Sequence, residues 1–336
     1  MTPLPLPENF AADASWLVQA IDPSAGLARL VRLDVEGYRQ ASFLDDRMLS
    51  PTTEARLVAL GEVVDAGALF PSNARWIFHI GHVGSTLVAR LLGEGGEVLS
   101  VREPRALRDL LASPESERRA LADSLSRLAG RSFAPEQATV VKATSFVSEA
   151  APLLVGPDMP ALFMLASARS YICTILAGPN SVQELRTLDA DRRRRLSTRG
   201  IHCAPDRTSD AQLAAIAWAC EMTGLEASED AIGRERVQWL DFDRFLEAPK
   251  EELANAVKHL KLALTDVEID DALAGPVMRR YSKAMEYDYT PALRADLLAE
   301  AGRAHARDID AALAMLEETA LNAPLLKRAL GRTQGA

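Results

Sequence analysis

One stretch of the sequence, residues 75–105, constrains the fold more than any other. An apolar run at residues 76–80 is followed by a short turn and then by residues 87–92, whose apolar side chains have helical spacing. This order is typical of a β-strand, a tight turn and an α-helix. Because such a turn directs backbone N–H groups and the positive end of a helix dipole at one point, it predicts a phosphate-binding loop. The turn consists of Gly81, His82, Val83, Gly84, Ser85 and Thr86.

The loop differs from the Walker A motif of nucleoside triphosphatases. That motif ends in Gly-Lys-Ser/Thr, and its Lys contacts the terminal phosphates. Here Gly84 is followed directly by Ser85 and Thr86, with no Lys between them. The sequence therefore predicts a phosphate site that lacks the usual means of cleaving a nucleoside triphosphate.

Short apolar runs recur along the chain and alternate with segments of helical periodicity. The runs are partly β-branched, which is typical of parallel strands that are buried on both faces. Alternating strands and helices predict an α/β fold, with a central parallel sheet of about five strands and helices on both of its faces. The strand candidates are residues 76–80, 98–101, 139–142, 161–165 and 237–241.

The chain is expected to divide into an N-terminal extension and one main domain. The extension covers residues 1–70, looks irregular, and is predicted to contain a strand at residues 27–35 and a helix at residues 53–64. The main domain covers residues 71–330. Its last part, from about residue 250 to residue 330, consists of helical patterns.

Composition excludes several classes of protein. The formal net charge of −9 argues against a general nucleic-acid binder, which usually carries a basic face. The three cysteines form no C-x-x-C pair, which favours a reducing compartment. The N-terminus does not resemble a signal peptide, and no apolar run reaches the roughly 20 residues that a membrane helix needs. We therefore expect a soluble, cytoplasmic protein that binds neither nucleic acid nor membrane.

The turn resembles the 5′-phosphate loop of the P-loop sulfotransferase family, which typically has Lys/Arg-Ser-Gly-Thr/Ser-Thr after a strand. Gly84, Ser85 and Thr86 match this pattern, whereas His82 takes the basic position and Val83 the small polar position. The resemblance implies a three-layer, P-loop NTPase-like fold. It also implies that the loop binds the 5′-phosphate of the donor, 3′-phosphoadenosine 5′-phosphosulfate (PAPS).

Later segments extend the resemblance over roughly residues 75–283. The Arg-Glu-Pro motif at residues 102–104 resembles the second-strand motif of many bacterial sulfotransferases. The resemblance implies that Glu103 is the general base for the acceptor, that Lys142 meets the charge of the transferred group, and that His82 stabilises the leaving group. The alternatives are that Glu103 only caps a helix, that Lys142 is only a strand-end lysine, and that His82 is only a polar loop residue.

The predicted site for the 3′-phosphate of the donor departs from the family pattern. The family uses an Arg after the fourth strand and a Ser further along the next helix, and this chain has Ala166 and Thr174 at those positions. Arg169 is the candidate that replaces the missing arginine. Ser282 and Lys283 are expected to close over the donor, unless they belong to a solvated cluster at a helix end.

A run of four arginines, residues 192–195, lies in the charged segment 189–208, which is predicted to be a lid or a surface helix. Such a run is usually a solvated face. If it has a function, it indicates an anionic acceptor or a contact with the 3′-phosphate of the donor.

The favoured hypothesis is a sulfotransferase that uses PAPS as co-substrate, needs no metal, and acts on a hydroxyl or amine of a small-molecule or peptide acceptor. Two alternatives remain open. One is a different, ATP-dependent group transferase on the same fold, and the other is a non-catalytic nucleotide-binding or protein-interaction module with a degenerate PAPS site. The sequence makes no prediction about the acceptor's identity or the oligomeric state.

Overall fold

The computed structural model describes residues 2–203, 208–280 and 290–334, so that Ser282 and Lys283 lie outside the described residues. Within these ranges, strands form a small antiparallel sheet and a larger parallel one. The strands are β1 (Trp16–Asp22), β2 (Leu27–Arg32), β3 (Ala55–Ala59), β4 (Arg75–His79), β5 (Val98–Arg102), β6 (Ala138–Lys142), β7 (Ala161–Leu165) and β8 (Val237–Asp241).

The α-helices of the described residues flank the parallel sheet and dominate the C-terminal part. They are α1 (Val35–Gln40), α2 (Leu60–Gly67), α3 (Ser85–Leu92), α4 (Ala106–Leu111), α5 (Glu115–Ala129), α6 (Ala151–Leu154), α7 (Ala168–Leu176), α8 (Pro179–Thr198), α9 (Asp210–Ile232), α10 (Phe242–Glu247), α11 (Pro249–His259), α12 (Asp266–Ala274), α13 (Pro291–Ala304), α14 (Ala306–Ala320) and α15 (Pro324–Gln334).

The parallel sheet has five strands in the order β5-β6-β4-β7-β8. These are the strands that the apolar runs predict, with bounds that agree to within one residue, and the α/β fold class is confirmed. After β4 the chain forms β5 and β6 on one side, then crosses to the other side for β7 and β8. This reversal creates a switch point at the carboxyl end of β4, where open α/β sheets bind their ligands.

Helices from both halves of the chain pack around the sheet. Helix α3 contacts β4, β5 and β6, whereas α9 contacts β4 and is surrounded by α7, α8, α14 and α15. Helix α9 is buried along most of its length, which explains why its sequence is apolar over a wide arc. Near its end, the buried carboxylates of Glu226 and Glu229 bind Arg332, and Glu226 also pairs with Arg328. These ion pairs hold α15 against the main domain.

The N-terminal region contains more regular secondary structure than its sequence predicts. Strands β1, β2 and β3 form an antiparallel sheet, in which Leu30 pairs with Arg56. The predicted helix at residues 53–64 is therefore wrong in its first half, which is strand β3, and the helix α2 begins only at Leu60. The predicted strand at residues 27–35 ends at Arg32. Pairing between distant strands overrides the local helical periodicity at these positions.

Two buried arginines attach this N-terminal region to the main domain. Arg102, at the end of β5, is 2% exposed and donates to the backbone carbonyls of Tyr38, Arg39 and Ala41. Arg131 donates in the same way to the backbone carbonyls of Phe10, which precedes β1, and of Trp16, the first residue of β1. Burial lowers the pKa of Arg102 to about 9. The Arg102 side chain thus links the N-terminal region to β5.

Candidate active site

The predicted phosphate loop joins β4 to α3 at the carboxyl edge of the parallel sheet. Gly81, His82 and Gly84 have positive φ angles of 85°, 55° and 63°. A Cβ atom at Gly84 would lie only 2.0 Å from Cε2 of Phe242. The loop therefore needs glycine at position 84 for its backbone conformation and also for its contact with the Phe242 ring.

The loop presents polar groups that suit an anion. The first helical residue of α3 is Ser85, and the backbone N–H groups of residues 83–86 have no acceptor among the described residues. The Thr86 hydroxyl is buried and also lacks a hydrogen-bond partner within the described part of the chain. Leaving such a group unpaired costs about 1–3 kcal/mol. Together with the positive end of the helix dipole, these groups fit a bound phosphate.

His79, which the sequence analysis missed, supports the loop from the last position of β4. The Gly81 N–H donates to Nδ1 of His79 at 2.9 Å, and Nε2 lies 2.9 Å from the carbonyl oxygen of Ala143. Since Nδ1 accepts a hydrogen bond, the ring proton is on Nε2, which donates to Ala143. The buried, neutral ring thus connects the phosphate loop with the segment that follows β6.

Glu103 and Lys142, the predicted base and cation, meet at the same edge of the sheet. Strands β5 and β6 are paired so that Arg102 lies opposite Lys142. Glu103, the next residue after Arg102, therefore lies close to the lysine. The Lys142 ammonium forms an ion pair with Oε1 of Glu103, and the two side chains are 1% and 10% exposed. Glu103 also has a φ angle of 54°. Such backbone strain in a non-glycine residue concentrates at functional sites.

The N-terminal region adds a second cation beside Glu103. Arg47 Nη2 lies 3.8 Å from Glu103 Oε2, and the Arg47 guanidinium carbon stacks 3.5 Å from the centre of the Phe43 ring. Arg47 and Arg108 both bind the buried Asp45, at 2.7 and 3.2 Å. Burial alone would raise the pKa of Asp45, but the hydrogen bonds and charge of Arg47, with the charge of Arg108, lower it below its ordinary value. These contacts fix Arg47 next to the candidate base.

The loop, the Glu103–Lys142 pair and the Arg47 segment line one cavity of about 540 Å³. Pockets of roughly 300–1,000 Å³ are typical of small-molecule sites. The ring of Tyr171 forms another wall and contacts His82 edge-on, with 6.3 Å between the ring centres. Helix α8 also lines the cavity, with residues that follow one another at intervals of four and so share one helix face. These residues are Glu184, Leu188 and Arg192.

The residues predicted for the 3′-phosphate lie outside this cavity. Arg169 is bound to Asp310 at 2.7 Å, and its side chain is 55% exposed. The Thr174 hydroxyl donates to the backbone carbonyl of Ser170 at 2.8 Å. Neither Arg169 nor Thr174 is among the described residues that line the cavity. Their role in binding the 3′-phosphate stays a prediction, as do the roles of Ser282 and Lys283.

The four consecutive arginines of α8 have different environments. Arg194 is exposed, Arg193 is half-buried, and Arg192 and Arg195 are buried. Only part of the run is therefore the solvated face that the sequence favours. Their carboxylate partners are Glu184 for Arg192, Asp189 for Arg193, Asp191 for Arg194, and Glu149 and Glu221 for Arg195.

The described residues include neither a candidate metal cluster nor a candidate membrane-spanning helix. Across residues 2–203, 208–280 and 290–334, no group of three or more His, Cys, Asp and Glu side chains is arranged to hold a metal ion. In the same residues, no helix is both long enough and apolar enough to cross a bilayer. The metal-free reaction and the cytoplasmic location stay predictions.

Comparison with known proteins finds matches only among solved structures. No protein-family model matches the chain, and no curated protein matches it. The sulfotransferase domain of the Synechococcus olefin synthase shares 13% identity, with a TM-score of 0.43 over 70% of this chain and 96% of that domain. A Mycobacterium avium sulfotransferase shares 13% identity, with a TM-score of 0.42 over 73% of this chain and 79% of its own.

A sulfotransferase from Alicyclobacillus acidocaldarius shares 17% identity, with a TM-score of 0.38 over 72% of this chain and 95% of its own. At these values the similarity assigns no role to any residue of the present chain.

Proposed function

We propose that this protein is a sulfotransferase that moves a sulfuryl group from PAPS to a hydroxyl or amine of an acceptor. One observation carries the proposal: an anion-binding loop and a buried carboxylate–ammonium pair, Glu103–Lys142, share one cavity. Sulfuryl transfer needs both features. It requires charge stabilisation at the leaving phosphate and a base at the attacking atom.

The chemistry is written by analogy with phosphoryl transfer. The acceptor atom forms a bond to sulfur while the bond from sulfur to the bridging phosphate oxygen breaks, and no atom changes its oxidation state. The acceptor proton goes to the Glu103 carboxylate. The negative charge that develops on the 5′-phosphate is stabilised by the N–H groups of residues 83–86, by the Thr86 hydroxyl, and by His82 as an N–H donor.

Lys142 and Arg47 would control access to Glu103. Both carboxylate oxygens have a cationic neighbour: Lys142 pairs with Oε1, and Arg47 lies 3.8 Å from Oε2. A sulfuryl group that enters beside Lys142 offers the ammonium group a second anionic partner. In this proposal, Lys142 shifts toward the sulfuryl group, and Oε1 of Glu103 becomes accessible to the acceptor proton.

The environment of Arg169 favours a second candidate function. Its guanidinium is engaged by Asp310, and a donor site without a 3′-phosphate arginine would bind PAPS weakly. In that case the protein would be a nucleotide-binding module without turnover. Comparison of adenosine 3′,5′-bisphosphate with AMP distinguishes the two functions, because only an intact 3′-phosphate site prefers the bisphosphate.

Transfer of label from [³⁵S]PAPS to mixed hydroxyl and amine acceptors tests the proposed activity. We expect Glu103→Gln to lower kcat by about 10²–10⁴-fold, because the acceptor loses its base, and to leave the affinity for adenosine 3′,5′-bisphosphate within twofold. Glu117→Gln, an exposed carboxylate on α5, is the matched control and should not alter kcat. Equal turnover of Glu103→Gln and the unmodified protein would refute the assignment of the base. Bisphosphate binding that is no tighter than AMP binding, without any transfer, would support the second function.

A further inference from the structure

Arg192 is a buried guanidinium whose hydrogen bonding is incomplete. The residue is 7% exposed and lines the cavity, and its Nη1 is buried without a hydrogen-bond partner in the described part of the chain. Its Nη2 lies 3.5 Å from Oε1 of Glu184, which is long for a charge-assisted hydrogen bond, typically about 2.7–2.9 Å. Because buried polar groups are nearly always paired, the unpaired nitrogen leaves this guanidinium incompletely satisfied at the wall of the cavity.

The acidic residues near Arg192 have another arginine partner or face water. Both carboxylate oxygens of the buried Glu221 accept hydrogen bonds from Arg195, at 2.9 and 3.1 Å. The side chain of Glu184 is 53% exposed and can turn into water. A small anion could therefore replace Glu184 on Arg192 without breaking a buried ion pair.

The position of Arg192 favours a contact with the acceptor over a contact with the 3′-phosphate of the donor. Arg192 lines the same cavity as Glu103 and the phosphate loop, whereas Arg169 and Thr174 lie outside it among the described residues. In the proposed function, the loop and Lys142 bind the donor's phosphosulfate group. The cation on α8 therefore serves a different anionic group within the reacting cavity.

The surroundings of Arg192 also suggest the rest of this ligand. Leu188, one turn before Arg192 on the same face of α8, lines the cavity together with Phe43 and Phe146. These side chains add apolar surface to the cavity wall. A ligand that fits has a compact anionic group at one end and an apolar body.

We propose that Arg192 binds the acceptor, and that the acceptor is a small molecule with an apolar body and a carboxylate or a similar compact oxyanion, besides the hydroxyl or amine that receives the sulfuryl group. This inference rests on the proposed sulfotransferase function. It assigns Arg192 to specificity, since its charge selects acceptors that carry an anion and leaves the bonds that form and break unchanged.

Inorganic phosphate is the probe for this site, titrated calorimetrically into protein that is already saturated with adenosine 3′,5′-bisphosphate. With the loop occupied, we expect one remaining phosphate site of millimolar affinity. Arg192→Gln should weaken it at least tenfold, and Arg192→Lys, which keeps the charge and the fold, should weaken it less. Arg194→Gln, an exposed arginine on the same helix, should change nothing.

Phosphate binding that is equal in Arg192→Gln and the unmodified protein, or absent from both, would overturn the proposal. A tenfold loss of bisphosphate affinity in Arg192→Gln would also overturn it, because Arg192 would then bind the donor. If the unmodified protein does not bind the bisphosphate, the proposed function fails by itself. A phosphate site that Arg192→Gln removes from the nucleotide-free protein would then still establish Arg192 as an anion-binding residue.

Discussion

Replacing Gly84 by alanine should damage the phosphate loop by two separable mechanisms. The residue has a φ angle of 63°, and an L-residue in this left-handed region costs about 1–2 kcal/mol. In addition, the new Cβ would lie 2.0 Å from the Phe242 ring. That ring is held by Phe245, which stacks on it, and by Arg294, whose guanidinium carbon is 5.0 Å from its centre. Overpacking of this kind costs about 1–3 kcal/mol, so Gly84→Ala should lower the free energy of unfolding by about 2–5 kcal/mol.

Gly26→Ala provides the matched control for this experiment. Gly26 has a nearly identical φ angle of 66°, but no atom lies within 4 Å of its expected Cβ. In urea unfolding followed by tryptophan fluorescence, Gly26→Ala should therefore lose only the backbone cost of about 1–2 kcal/mol. Adding Phe242→Leu to Gly84→Ala should relieve part of the steric cost. Equal losses for Gly84→Ala and Gly26→Ala would refute the close contact between the loop and Phe242.

Three further predictions concern charges and hydrogen bonds around the loop. Lys142→Met should destabilise the protein by about 3–5 kcal/mol in urea unfolding, because it leaves a buried carboxylate without its main partner. Adding Glu103→Leu removes that carboxylate and should recover most of this loss. If the double variant recovers no stability, the result counts against a buried ion pair. His79→Leu should cost about 1–3 kcal/mol and accelerate amide hydrogen exchange at Gly81, whereas unchanged exchange would show that His79 does not hold the loop. The pKa of Asp45 is lowered from its ordinary value of 3.8, so its stabilising effect is present above about pH 4 and is lost as the pH falls through the lower folded-state pKa. The stability difference between Asp45→Asn and the unmodified protein should therefore shrink on acidification, and a constant difference would contradict this ion-pair arrangement.

The parallel sheet could be predicted because its sequence signal is local. Strands buried on both faces are continuous apolar runs, and β7 and β8 have the predicted bounds. The meeting of Glu103 and Lys142 follows from the same reasoning, since residues at the carboxyl ends of parallel strands share one edge of the sheet. The glycine at position 84 could likewise be recognised from the strand-turn-helix pattern.

Contacts between distant segments could not be predicted in this way. His79 belongs to an apolar strand, and nothing in its neighbourhood shows that its ring accepts a hydrogen bond from the loop. Arg47 lies beside Glu103 through contacts that are remote in sequence, among them the hydrogen bonds from Arg102 to backbone carbonyls of the N-terminal region. The arginine run did suggest an anion contact, but its spacing could not show which of the four side chains lines the cavity. Helical geometry and the packing of α8 select Arg192.

Calorimetric titration with adenosine 3′,5′-bisphosphate tests the proposed sulfotransferase site most directly. We predict one binding site per chain, binding that needs no magnesium, and weaker binding of AMP. At a free concentration about 100 times Kd, the ligand should raise the free energy of unfolding by about 2.7 kcal/mol. No heat and no stabilisation with the bisphosphate, together with magnesium-dependent binding of ATP, would contradict the sulfotransferase proposal and favour an ATP-dependent transferase.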